Sequence, residues 1–479
     1  MLTLINTNRM VPAIGPVGLD YVAASARRGQ IDVEVLDLGL VDEPAKAMEE
    51  YFERRSPELV GLSFRNSDDC FWPSADWFVP ELKNTVEKIR NLADAPIVVG
   101  GVGFSIFAGA IYEYTDIDFG IRGDGETAIV ALTNRLRGTR NFAEVPGLIW
   151  RRDNKIIENP PSWPDSISLG TERDFIDNPA YFKKGGQCGL ETKRGCNRNC
   201  IYCADSLAKG TKLRLRNPAE IADEVESLLC QGIDVLHLCD AEFNVPRSHA
   251  VAVCEEFNRR SLGEKVRWYV YMSPSPFDAD LAGTMARAGC VGIDFTGDSA
   301  SETMLRTYCQ RHSRRDLATA VKLCRDNNIA VMIDLLLGGP GETPQTVRET
   351  IEFIKEINPD CAGAALGMRI YPRTAMEKMV AAELLLPNPA IKRKYDGPVD
   401  LLKPTFYISE ALGDNPAGLV KDLIAGDRRF FEPAEQIDMQ TSKDGDTSDY
   451  NYNRNEPLTQ AIAKGARGAY WHILHNLRA

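Results

Sequence analysis

The chain has 479 residues, more than one compact domain ordinarily holds, so two or three domains are expected. Its 44% apolar and 26% charged residues are those of a globular protein with real cores, which sets aside a disordered or fibrous chain. Asp+Glu total 68 against 56 Lys+Arg, and the net charge of −12 argues against a general nucleic-acid binder.

The first elements alternate. Strands are predicted at 2–6, 32–38, 59–64, 96–100 and 117–121, with helical stretches at 17–28, 44–54, 75–91 and 125–137. Strand–helix alternation at this spacing predicts an α/β fold, a Rossmann-like, doubly wound parallel sheet over 1–145. Such sheets bind ligands beyond the carboxyl ends of their strands. The loops there are rich in glycine and small polar residues: Asn6-Thr7-Asn8-Arg9, Ser63 to Ser67, Gly100-Gly101-Val102-Gly103-Phe104-Ser105 and Arg122-Gly123-Asp124-Gly125-Glu126. A hairpin (147–150, 155–158) and the proline-rich Asn159-Pro-Pro-Ser-Trp-Pro164 read as a linker over 146–187.

A second alternating series occupies 188–374, with strands at 190–193, 235–239, 266–272, 292–296, 331–337 and 363–370. Helical stretches separate them, for example at 218–231, 300–308, 314–327 and 346–356, which predicts a partial (β/α)6 barrel with its active end at the C-terminal strand edge. Residues 375–479 are expected to form a mostly helical cap, with a polar, mobile stretch at 440–455 and a docking helical segment at 458–477. The longest apolar run, 97–112, is interrupted by glycines and suits a strand, turn and helix start rather than a membrane span. MLTLINTNRM lacks the pattern of an export signal, so a cytoplasmic protein with reduced cysteines is expected.

Of the twelve cysteines one group stands apart, in Glu191-Thr-Lys-Arg-Gly-Cys196-Asn-Arg-Asn-Cys200-Ile-Tyr202-Cys203. Three thiolates spaced CxxxCxxC can each take one corner of a [4Fe–4S] cubane and leave the fourth iron without a protein ligand. Tetrahedral zinc asks for a fourth ligand, and the next cysteine is as far away as Cys230. Cys188, Cys239 and Cys309 are open to two readings, thiols near the cluster or small buried hydrophobes.

This spacing, with an aromatic residue (Tyr202) before the last cysteine, resembles the signature of the radical S-adenosylmethionine (SAM) superfamily. The resemblance implies that the open iron chelates SAM and that Tyr202 adjoins it. By position along the barrel it also implies SAM contacts from Asp240 and Glu242 after the second strand, Asp298 and Ser299 after the fourth, and Arg311 downstream. Gly338-Gly339 after the fifth strand and Arg369 after the sixth complete that set. Segments 239–244 and 297–299 depart from the familiar Gly-Gly-Glu and Gly-x-Glu-Ser forms.

A Rossmann-like domain ahead of such a barrel resembles the cobalamin-dependent branch of the superfamily. The resemblance implies a corrin held by Asn8, Pro16, Ser63, Arg65, Asn66, Gly100, Gly101, Gly103, Ser105, Gly123, Gly125 and Glu126. All five histidines (His237, His249, His312, His472, His475) lie outside this domain, so it offers cobalt no histidine. The implied function is a cobalamin-dependent radical SAM methyltransferase acting on a carbon of a small molecule or peptide. In that family's chemistry one SAM makes methylcobalamin and a second yields a 5′-deoxyadenosyl radical. The alternatives are a cyclisation, rearrangement or oxidation with the same cofactors, and a non-catalytic cluster or corrinoid carrier. An electron donor such as a flavodoxin or ferredoxin is an expected partner, and nucleic acid is not. Tyr269, Tyr271, Met272, Arg369 and Tyr371 are candidates to face the substrate or to pack.

Overall fold

The computed structural model describes residues 1–385, 387–434 and 451–478. β1 (Leu2–Asn6), β2 (Val33–Asp37), β3 (Leu59–Ser63), β4 (Ile97–Gly100), β5 (Phe119–Ile121), β6 (Leu148–Arg152) and β7 (Lys155–Glu158) make one sheet in the order β2-β1-β3-β4-β5-β6-β7. The first five strands run parallel, and the β6–β7 hairpin continues the sheet antiparallel. All five residues of β1 are buried, as a strand covered by helices on both faces requires. The chain reverses its direction of sheet growth between β1 and β3. The loops after these two strands therefore open a crevice at a topological switch point.

The second sheet is built from β8 (Cys188–Leu190), β11 (Val235–Leu238), β12 (Arg267–Met272), β13 (Cys290–Asp298), β14 (Ala330–Leu337), β15 (Cys361–Leu366) and β19 (Phe430–Phe431). They are parallel neighbours in the order β8-β11-β12-β13-β14-β15-β19. Between β8 and β11 a short ribbon pairs β9 (Lys193–Arg194) with β10 (Arg214–Leu215). The expected first strand at 190–193 is thus two pieces. The barrel strand stops at Leu190, and the next residues turn away to carry the cysteine loop.

Two further barrel helices, Arg247–Arg259 and Ala279–Arg287, complete the strand–helix alternation. Each buries one apolar stripe against the barrel. The C-terminal region is less helical than expected. Beyond β15 a small antiparallel sheet joins β16 (Met368–Arg369), β17 (Ile391–Arg393) and β18 (Thr405–Tyr407), and β19 adds an edge to the barrel. The helices Glu456–Ala463 and Tyr470–Arg478 dock Leu458, Ile462, Trp471, Ile473 and Leu474 against Val235, Met332, Cys361 and Phe431. Those partners lie near strand starts, so the helices cover the end of the barrel opposite the cysteine loop. Of the polar stretch at 440–455, residues 440–450 lie outside the described residues.

Buried ion pairs tie the two sheets together. Arg173, 1% exposed, joins Asp20 of the helix Val17–Arg28 to Glu224 of the helix Pro218–Cys230, at 2.7 Å each. Arg369 reaches Asp68 at 3.0 Å. Among the described residues no helix is long and apolar enough to cross a membrane.

Candidate functional site

The cysteine loop is fixed from both ends. Upstream, Asp240 at the end of β11 accepts hydrogen bonds from the backbone N–H of Thr192 (2.8 Å) and Lys193 (3.2 Å), and from the Thr192 hydroxyl. Gly195 has φ +85°, and a Cβ there would lie 2.0 Å from the Lys212 carbonyl, so the turn into Cys196 requires glycine. Downstream, Arg311 donates to the Asn197 carbonyl (3.3 Å) and Gln310 to the Cys200 sulfur (3.4 Å).

Cys196, Cys200 and Cys203 are free and partly exposed, whereas Cys188, Cys254, Cys290, Cys324 and Cys361 are buried. Burial raises the thiol pKa at all three positions, at Cys200 to about 12, which leaves the thiolates without a countercharge. Bound iron would supply that charge and hold them deprotonated. Among the described residues no three His, Cys, Asp or Glu side chains converge on a single ion.

Several expected SAM contacts are committed elsewhere. Asp240 is 2% exposed and spent on Thr192 and Lys193. Ser299 is fully buried, bonded to Thr350 (2.9 Å) and to the Ser301 N–H. Arg369 is 5% exposed and holds Asp68, the carbonyls of Ile370 and Leu401, and the Tyr371 ring. Arg311 is an exposed brace on the loop. A sequence position after a barrel strand does not reveal which way its side chain turns, and each of these found a nearer partner.

Of the others, Tyr202, Glu242 and Asp298 stand beside the cysteines. Tyr202 donates to Asp298 (2.6 Å), which also accepts from Gln310, and burial lifts Asp298 to about 7. Glu242 accepts from Thr296 (2.9 Å) through one oxygen, while its other oxygen is buried without a partner and burial lifts it to about 7. At Gly338-Gly339 the turn wraps the Glu342 carboxylate, and a Cβ at Gly339 would lie 2.3 Å from the Tyr308 hydroxyl.

All twelve expected cobalamin residues line one cavity of about 760 Å³ between the two sheets, joined there by Tyr202 and Cys203. The glycines are a cradle. Gly101 has φ +106° and a Cβ would meet the Phe64 carbonyl at 2.5 Å; a Cβ on Gly103 would meet the Asn66 and Ser67 backbone at 2.9 Å. The buried Asn8 amide nitrogen has no partner, a donor consistent with a polar ligand. Two of the twelve are also engaged within the protein. Ser105 donates to the Gly101 carbonyl (2.8 Å) and accepts from Gly123 N–H (3.1 Å), so it braces the cradle. Glu126 is clamped by Arg194 at 2.8 and 3.0 Å.

Arg194 was not foreseen, although it stands two residues before Cys196. It also reaches Glu191 (2.8 Å) and Asp124 (3.4 Å), coupling the glycine loop of the first sheet to the cysteine loop of the second. The sequence reading also missed Asp294 on β13 and Asp334 on β14; a carboxylate inside an otherwise apolar strand was the available signal. Of the proposed substrate-facing residues, Tyr269, Tyr271 and Tyr371 line the cavity, and Met272 is fully buried in the core. Cys239 lines the cavity, Cys188 is buried and Cys309 is exposed.

A family model described as the Radical SAM superfamily matches residues 190–354, and one described as the B12 binding domain matches 7–133. The tryptophan 2-C-methyltransferase of Streptomyces laurentii is 28% identical, across 98% of this chain and 95% of its own. The structure of the radical SAM methyltransferase TsrM from Kitasatospora setae, with tryptophan and the SAM analogue aza-SAM bound, is 30% identical. It matches with a TM-score of 0.90 over 99% of this chain and 97% of that one. The cobalamin-dependent radical SAM enzyme OxsB, 17% identical with a TM-score of 0.70 over 85% of this chain and 64% of its own, shares the fold. With a cubane-compatible cysteine loop, a glycine cradle facing it, and a 30% identical relative over its whole length, this chain belongs to the cobalamin-dependent radical SAM methyltransferases, enzymes that use a [4Fe–4S] cluster, SAM and cobalamin.

Proposed function

We propose that the methyl acceptor is a carbon of an indole ring, with tryptophan the first substrate to test. The observation that carries this reading is the aromatic lining of the cavity, to which Tyr269, Tyr271, Tyr452, Tyr470 and Trp471 contribute. An aromatic wall gains most from a flat aromatic guest, and the two whole-length relatives named above act on or bind tryptophan.

Cys196, Cys200 and Cys203 would hold the cluster, the loops after β1, β3, β4 and β5 the cobalamin, and Tyr202, Glu242, Asp298, Gly338 and Gly339 remain as the SAM wall. When bound, these cofactors supply the methyl group and the electrons for its transfer. The protein's part is placement. Arg194–Glu126 and Arg369–Asp68 hold the two halves in register around the cavity. Tyr202 and Gln310 fix Asp298, and the helix Tyr470–Arg478 closes the cavity against water.

Methylation of an aromatic C–H replaces hydrogen by methyl and releases one proton, so it balances with one SAM per product. Incubation of the reconstituted enzyme with tryptophan and SAM should give one S-adenosylhomocysteine per methylindole and a 14-dalton gain. Deoxyadenosine without any mass gain would turn the reading toward a rearrangement or oxidation. An electron donor such as a flavodoxin or ferredoxin belongs to this proposal, and nucleic acid does not. All twelve cysteines are free, which supports a reducing compartment, the cytoplasm.

A further inference from the structure

Below the cofactor loops the cavity ends on charged groups that none of the cofactor contacts uses. Asp294 sits mid-way along β13, is 6% exposed, lines the cavity, and has one carboxylate oxygen buried without a hydrogen-bond partner. Its register neighbour on β12 is Tyr271, whose ring packs on His237 of β11 at 4.9 Å between centroids. On the other side, Asp334 of β14 shares a hydrogen bond with Asp294. Two carboxylates that share a hydrogen bond, one buried and one half-buried, do not both ionise, and Asp294 is held well above the usual carboxylate range by burial and by Asp334. His237 cannot supply the missing cation. Burial pulls it down to about 4, so it is neutral, and its Nδ1 is unpartnered.

The pair therefore keeps a proton at the wall of a cavity large enough for a substrate, with one Asp294 oxygen left unpartnered. A group that brings its own positive charge and several N–H donors satisfies that oxygen and stands in for the proton. Resting on the methyl-acceptor reading of this cavity, we infer that Asp294, backed by Asp334, anchors a protonated amino group of the substrate. An ammonium that displaces the shared proton, or a neutral amine that takes it, ends in the same ion pair. Asp294 lies four residues before the end of β13, roughly 13 Å along the strand from Asp298 and the cysteine loop. An amino group held there leaves an attached aromatic ring free to lie against Tyr271 and reach back toward the cofactors.

The test is equilibrium binding to the reconstituted holoenzyme, with tryptamine against 3-ethylindole and tryptophan against indole-3-propionate. A charge-assisted hydrogen bond to a buried carboxylate predicts that each amine binds about ten- to a hundredfold tighter than its amine-free partner. Asp294→Asn should erase that preference while leaving the affinity for 3-ethylindole, the iron content and the cobalamin content unchanged; Asp294→Glu should keep part of it. An amine preference that survives Asp294→Asn, or none in the wild type, overturns the anchor. If no indole binds at all, the indole reading falls, and benzylamine against benzyl alcohol applies the same comparison to the anchor alone. Should Asp294→Asn lose its cofactors, infrared difference spectra of the wild type decide. The C=O stretch of a protonated carboxyl should vanish on adding the amine, and its persistence in the amine-bound enzyme refutes the ion pair.

Discussion

Asp240 offers the sharpest separation between holding the cluster loop and binding SAM. Its carboxylate accepts from two backbone N–H groups and one hydroxyl, all beside the turn into Cys196, and only 2% of the residue is exposed. Asp240→Ala strands three buried donors, each worth about 1–3 kcal/mol when unsatisfied. At the low end the loss is about 3 kcal/mol, which for a barrel-sized unit lowers the melting temperature by roughly 6–12 °C. Asp240→Asn keeps one acceptor oxygen and the shape, so it should lose about half as much. Thermal unfolding of the apoprotein reads the stability, and iron and sulfide content after anaerobic reconstitution reads the loop. Both variants should hold less iron, in the order Ala worse than Asn, while the fraction that carries a full cluster binds SAM with unchanged affinity. An Asp240→Asn protein with four irons, wild-type stability and a tenfold weaker SAM affinity would place Asp240 on SAM and refute the reasoning.

Cys196→Ala should lose iron and retain cobalamin, as metal and corrinoid analyses of the same anaerobic sample will show; loss of both would mean that the two sites fold as one. Gly101→Ala places a Cβ 2.5 Å from the Phe64 carbonyl at φ +106°, and cobalamin occupancy read from visible absorbance should fall severalfold, whereas iron content stays. Glu342 is fully buried and lifted to about 7, above its unfolded value near 4.5, so its burial is harmless below pH 4.5 and increasingly destabilising as pH rises through 7. Glu342→Gln should therefore remove up to about 3 kcal/mol of that pH-dependent loss, seen as a flatter apoprotein stability profile between pH 4.5 and 7; an unchanged profile contradicts the assignment.

The buried arginines explain how two α/β sheets act as one site. Breaking a buried pair by removing one partner costs about 3–5 kcal/mol, because the other charge is left without compensation. Arg173, Arg194 and Arg369 each bridge the halves in this way, and Arg194 does so from the stem of the cysteine loop itself. Anything that loosens the glycine loop around Glu126 is thereby felt at Cys196.

Local signals in the sequence carried much of the architecture. β1 at Leu2–Asn6 and the helices Val17–Arg28 and Gly125–Arg137 have the limits expected from hydrophobic periodicity, because short-range pattern and burial agree there. The cysteine spacing was legible for the same reason: three ligands in one loop need no long-range information. The glycine loops were legible too, since strand ends in a parallel sheet collect at one edge wherever the helices run.

What the tertiary structure decided is the direction and partnership of single side chains. Asp240, Ser299 and Arg369 stand at strand ends where SAM contacts were expected, yet each turns to a neighbour far away in the chain, 48, 51 and 301 residues respectively. Arg194 and Glu126 meet across 68 residues, and Asp294 meets Tyr271 and Asp334 only because β12, β13 and β14 align in one register. Period and spacing describe a residue's own element, whereas a buried charge takes whichever partner the assembled fold brings within hydrogen-bond distance. That choice is made between elements, where no local pattern records it.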